Sequence, residues 1–190
     1  RLLRYLALTL AVTCGTTTAA LADKRVALLI GNAHYAAAAA LRNPGNDVAA
    51  LADALEGAGF DAVLTANDLG RDAMVRALRS FEDQASGADI AVIYYSGHGL
   101  EMDGTNYLIP VDAKMVSDRD VEDETISLDR ALRSIEGARR LKLVILDACR
   151  NDPFLARMSR RDGTRALTRG LGRIEPRTVD TLVAYSAKAG

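Results

Sequence analysis

Three nearly unbroken apolar runs of strand length constrain this 190-residue chain more than anything else in it: Arg25-Val26-Ala27-Leu28-Leu29-Ile30, Ile90-Ala91-Val92-Ile93-Tyr94-Tyr95 and Leu141-Lys142-Leu143-Val144-Ile145-Leu146. A strand with one wet face would alternate apolar and polar residues. A continuous run instead predicts a strand buried on both faces, the pattern of a parallel sheet covered by helices. Helical patterns lie between the runs. Asn43-Pro44-Gly45-Asn46 opens one with Val48, Leu51, Ala52 and Leu55 at helical spacing, ended by Gly57 and Gly59. Asp68-Leu69-Gly70-Arg71 starts another with Met74, Leu78 and Phe81 on one face, and Ser127-Leu128-Asp129 a third that runs to Ile135. Phe60–Thr65 and Thr181–Tyr185 read as further strands, and Met102-Asp103-Gly104-Thr105 as a hairpin turn. The alternation predicts an α/β sandwich with a mostly parallel central sheet. No internal repeat is visible.

Residues 1–22 read as a secretory leader: Arg1 and Arg4, an apolar stretch from Tyr5 to Val12, then Ala20-Leu21-Ala22 before Asp23. The apolar part is too short to span a bilayer, and an uncleaved amphipathic anchor is the alternative. Cys14 follows Thr13, a poor context for lipoprotein anchoring. The expected product is exported, periplasmic or secreted, with no membrane span in the mature form. The chain starts without Met and stops in mid-pattern at Ala187–Gly190, so it is expected to be a fragment whose residues 23–190 form one domain. Losing Arg1 and Arg4 with the leader takes the formal charge from −1 to −3, and nothing in that balance calls for nucleic acid. Two local excesses stand out. Residues 101–124 carry eight acids against Lys114 and Arg119, and residues 157–177 carry seven arginines against Asp162 and Glu175. In the latter, Gly163, Gly170 and Gly172 discourage regular structure.

Past the leader one cysteine remains, so no internal disulfide can form; Cys149 is either buried and inert or a reactive thiol. It comes after the third apolar run in Asp147-Ala148-Cys149-Arg150, as His98 comes after the second in Ser96-Gly97-His98-Gly99. Residues beyond the carboxyl ends of neighbouring parallel strands converge on one crevice. A thiol and an imidazole there can form a nucleophile and base pair, with His98 raising the thiolate fraction of a group whose free pKa is roughly 8.5. The backbone N–H groups of Gly99 and Cys149 are candidates for an oxyanion hole. The plain alternative for His98 is a loop histidine with a structural hydrogen bond, and His34 reads as solvent-exposed or structural. Tyr95–Gly99 lacks the first glycine of a G-x-S-x-G elbow, and no phosphate loop comes after the first strand. One cysteine and two histidines make a poor structural zinc set.

These motifs, in their order, resemble those of the caspase-like cysteine peptidases of clan CD, family C14, and most closely the bacterial metacaspase (orthocaspase) branch. The likeness spans Lys24 to Gly190. It rests on Val26–Asn32, Leu41–Asp47, Tyr94–Gly99, Asn106–Asp112 and Asp147–Phe154, with Thr181–Gly190 similar to the family's next strand and loop. It implies a caspase-like three-layer sandwich and a catalytic dyad of His98 and Cys149. It also implies an acidic pocket formed by Asp47 and Asp147 with Ser96 beside them, suited to an Arg or Lys side chain before the scissile bond. Asp147 also reads as a strand-end cap, and Asp47 as a charge in a helix first turn. Caspases that cut after Asp use arginines instead; no arginine here has an obvious claim to that role, Arg42 and Arg150 being the two left open.

The implied activity is a cysteine endopeptidase acting on peptide or protein substrates after a basic residue. The alternative is a catalytically silent scaffold or signalling module on the same fold. Ala148 stands where many metacaspases have a second cysteine. No cofactor is required by the dyad. Calcium dependence is common in the family, and the acidic 101–124 loop offers oxygen ligands for Ca2+, although it lacks a recognisable spacing and also reads as a solvated loop. The arginine-rich segment, about residues 155–178, falls where the family has its inter-subunit linker, which suits either self-processing or a flexible basic loop.

Overall fold

A computed structural model describes residues 23–149, 153–159, 166–172 and 180–186. The expected leader, and the remainder of the expected linker, lie outside those residues. Strand β1 (Arg25–Gly31) is followed by helix α1 (Pro44–Gly57), β2 (Ala62–Asn67), α2 (Arg71–Ala85) and β3 (Ile90–Met102). Then come β4 (Thr105–Leu108), α3 (Asp120–Glu124), β5 (Ile126–Ser127), α4 (Leu128–Arg133), β6 (Leu141–Cys149), β7 (Leu167–Arg169) and β8 (Thr181–Tyr185).

Five strands run parallel in the order β2-β1-β3-β6-β8. Alternate residues of the central strands go to opposite faces. Ala27 and Leu29 of β1, with Val92 and Tyr94 of β3, pack under Val48 and Ala52 of α1. On the other face Val26, Leu28, Ile30, Ile93 and Tyr95 meet Met74, Leu78 and Phe81 of α2 and Leu128 and Ala131 of α4. This is the α/β fold with a mostly parallel central sheet that the apolar runs predict. Each large buried side chain contributes about 1.5–3 kcal/mol, which fixes register as well as stability, because a one-residue slip would turn the wrong set outward.

Local chemistry sets the helix ends. Pro44 pre-forms the first turn of α1, and Gly59, at φ +79°, closes its far end with its N–H on the Glu56 carbonyl. Gly70 begins α2 without a side chain of its own; Asp112 supplies the cap, its Oδ1 accepting the Arg71 N–H at 2.8 Å.

Strand β3 continues well past Tyr95, where the sequence alone predicts its end. Residues Gly99–Met102 leave the parallel sheet and pair antiparallel with β4 on one side, and Leu100–Met102 pair with β7 on the other. Asp103 and Gly104, both at positive φ, make the hairpin turn. The glycine-spaced Ser96–Gly99 motif is therefore strand rather than loop, because partners from distant parts of the chain satisfy its backbone. Pairing with β3 likewise gives Leu167–Arg169 a regular structure despite the nearby glycines.

Candidate active site

The strand order reverses between β1 and β3, and the crevice outside the carboxyl ends of those strands is where such sheets bind ligands. The β3–β6 ladder runs in register from Ile90 opposite Leu141, through Ser96 opposite Asp147, to His98 opposite Cys149. His98 and Cys149 thus occupy neighbouring backbone positions, one strand spacing apart, about 4.8 Å. Cys149 is the last residue of β6.

The His98 main chain is fixed from three directions. Its N–H donates to Tyr35 Oη at 2.8 Å, and its carbonyl accepts the Ile109 N–H at 3.1 Å. Tyr95 Oη lies 2.7 Å from the same carbonyl and 3.0 Å from that of Ile109, either of which can take its proton. Gly97 is small for a reason: a Cβ there would come within 2.6 Å of both tyrosine hydroxyls.

The imidazole is 3 % exposed. Its ring centre lies 4.6 Å from that of Tyr35 and 6.0 Å from that of Phe154, the latter edge-on. Neither ring nitrogen has a hydrogen-bond partner among the described residues. Burial holds the imidazole below the usual histidine range. The Ala39 backbone pulls it partly back, without reaching hydrogen-bond geometry. Phe154 belongs to a short turn after β6 that is tethered over this cluster: Arg157 donates to the Ala37 carbonyl at 3.0 Å, and the Ser159 N–H to that of Val116 at 2.9 Å.

A second cluster lies one pleat back along the same strands. Tyr94 Oη donates to Asp147 Oδ2 at 3.4 Å, a long bond. Its phenol is pushed up to about 12, first by burial; the Ser96 hydroxyl opposes this, and the carboxylates of Asp147 and Asp47 add to it. All three residues predicted for the acidic pocket therefore act on one phenol. Asp47 sits in the first turn of α1, half-buried. Gly99 is opposite Leu108 of β4, and the space above its Cα is filled by Leu171.

Tyr35, Tyr94, Tyr95 and Phe154 are not among the residues that sequence reasoning picks out for the site. The one signal for them is the Tyr94-Tyr95 pair inside an otherwise aliphatic run, since a buried phenol needs a partner for its hydroxyl. Asn32 is a further omission. Fully buried, it donates to the Ile109 carbonyl at 3.2 Å and accepts the Leu69 N–H at 2.9 Å, tying the end of β1 to both neighbouring loops. His34 is exposed, as predicted, and 2.7 Å from Asp68. Burial pushes the Asp68 carboxyl up, but hydrogen bonds from His34 and Ala33 outweigh it and leave the group below its usual range.

Several acids of the 101–124 loop are committed to backbone N–H groups. Asp120 accepts from Val116 and Ser117, Glu124 from Lys114, and Asp103 from Ala166. Among the described residues no three His, Cys, Asp or Glu groups converge as a metal site. No described helix is long and apolar enough to cross a membrane.

The family model for the caspase domain matches residues 24–190. The chain is 37 % identical over 98 residues to human mucosa-associated lymphoid tissue lymphoma translocation protein 1, which is 52 % of this chain and 12 % of that protein. It is 37 % identical over 93 residues to the mouse homolog, 49 % of this chain and 11 % of that one. The chain thus matches about an eighth of the length of these relatives.

Proposed function

This chain belongs to the caspase-domain family of cysteine peptidases, and from that premise we propose that it is a metacaspase-type endopeptidase cutting after Arg or Lys. The observation that carries the reading is the register of β3 against β6, which makes His98 and Cys149 ladder partners at the carboxyl edge of the sheet. In the proposed reaction the Cys149 thiolate attacks the scissile carbonyl carbon and the C–N bond breaks as His98, holding the thiol proton, gives it to the leaving amine. The acyl-enzyme is then hydrolysed by a water that His98 deprotonates. The N–H groups of Gly99 and Cys149 are proposed to hold the oxyanion. All these groups belong to the chain, so the reading requires no cofactor. Calcium remains a proposed modulator only, and export through residues 1–22 is proposed on the leader pattern.

The joint pull of Asp47 and Asp147 on the Tyr94 phenol supports basic specificity. One carboxylate bonded to the Tyr94 hydroxyl, with the charge of a second acting on the same group, makes a place where a guanidinium is better held than an aliphatic or acidic side chain.

The test uses the full chain with fluorogenic peptides bearing Arg, Lys or Asp before the cleaved bond. Cleavage after Arg and Lys, lost in Cys149→Ala with the fold intact, is expected. Faster cleavage after Asp would reject the specificity, and undiminished turnover by Cys149→Ala the mechanism. Asp147→Asn should lower kcat/KM for Arg peptides by about 10- to 100-fold, the loss of a charge-assisted pair of roughly 1.5–3 kcal/mol.

One observation favours the silent scaffold: the imidazole is buried under Tyr35 and Phe154. A thiol-reactive peptide probe separates the two readings, since a scaffold would leave Cys149 unlabelled whatever the peptide.

A further inference from the structure

A cleft of about 480 Å3 opens between α2, the α3–β5 turn and α4, and none of the residues proposed for catalysis or substrate binding lines it. Three arginines do: Arg71 and Arg79 of α2, two turns apart on one stripe with Val75 between them, and Arg130 of α4. One acid, Glu122, faces them. None of the three guanidinium groups makes a hydrogen bond or ion pair with a described residue.

Three like charges around one cavity repel. An anion in the cleft relieves that repulsion, and it must carry more than one charge to match three guanidiniums. Arginine forks fit phosphate oxygens bidentately. The remaining wall gives the rest of a ligand something to lie on: Val75 and Ile126 are apolar, and the Ser127 hydroxyl, unused as a cap on α4, can bond to it. We propose that this cleft binds a small organic molecule carrying a di- or polyphosphate group.

The proposal is independent of the peptidase reading and is tested without it. Inorganic pyrophosphate and adenosine diphosphate are titrated calorimetrically into the full chain at about 150 mM salt, close to physiological ionic strength. Saturable binding of both is expected, weakened at least about tenfold by Arg130→Gln and by the exposed-site variant Arg79→Gln, one lost charge-assisted contact each. Arg76→Gln, on α2 but outside the cleft, should leave it unchanged. Absence of saturable heat, equal loss in Arg76→Gln, or citrate binding as tightly as pyrophosphate would each overturn the assignment.

Discussion

Tyr35 holds His98 twice: its hydroxyl accepts the histidine's backbone N–H at 2.8 Å, and its ring lies 4.6 Å from the imidazole. Removing the hydroxyl keeps the ring contact but strands a buried donor, at a cost of about 1–3 kcal/mol. Tyr35→Phe should therefore unfold at lower temperature, by roughly 2–4 °C for each kcal/mol in a domain of this size. Thermal unfolding followed by circular dichroism checks this. An unchanged Tm would mean that the bond adds nothing to the folded state.

The same hydroxyl sets the size limit at Gly97. A methyl group there would lie 2.6 Å from the Tyr35 and Tyr95 hydroxyls, and each is held by other bonds. Gly97→Ala should cost about 1–3 kcal/mol, the usual range for overpacking. Gly45→Ala is the control. It sits in the first turn of α1 with nothing within 4 Å of its would-be Cβ, and it should be neutral or stabilise by up to about 1 kcal/mol. Chemical denaturation of the two variants should move the midpoint in opposite directions or, at the least, only for Gly97.

Burial depresses the His98 imidazole, so the folded state favours its neutral form. A base depressed on folding contributes stability that is complete above its unfolded pKa, about 6.5. That contribution is lost as pH falls from there toward the folded value, because the unfolded chain then binds the extra proton. Stability should therefore decline below about pH 6.5, and the imidazole carbon resonance of His98 should titrate with a midpoint under that of a free histidine. His34→Gln, at the exposed position, identifies the signal. A midpoint at or above 6.5 would contradict the burial.

The register that brings His98 to Cys149 is legible in the sequence. Ile90 and Leu141 begin equivalent apolar runs, they are paired in the sheet, and every later pair keeps the same offset. The segments just beyond the runs are not legible in this way. Gly97 and Gly99 argue locally for a loop. They lie in a strand because Ala148 of β6 pairs parallel with Gly97, and Leu108 of β4 pairs antiparallel with Gly99. The cover over the imidazole escapes for a related reason. Tyr35 and Phe154 approach His98 from either side in sequence, 63 residues back in one case; Tyr35 lies in no motif, and Phe154 closes the Asp147–Phe154 motif without anything in it pointing to the imidazole. Asp47 and Asp147 are found through family resemblance; their shared effect on Tyr94 is visible only once α1 is packed on the sheet.

Asn106 fastens residues 170–172, the short stretch after β7, to the site. It is 2 % exposed, and its amide donates to the Gly172 carbonyl at 2.6 Å and accepts the Gly172 N–H at 2.7 Å. That pair of bonds keeps Leu171 against Gly99. Asn106→Ala strands both Gly172 groups, with a penalty of about 1–3 kcal/mol that falls on this segment before the core. In a Cys149→Ala background, which rules out self-cleavage, trypsin should cut at Arg169 several times faster in Asn106→Ala. Asn106→Asp, which still accepts the N–H but cannot donate to the carbonyl, should fall between the two. Equal cutting rates in all three proteins would show that other contacts hold the segment down, and that the amide is not its fastening.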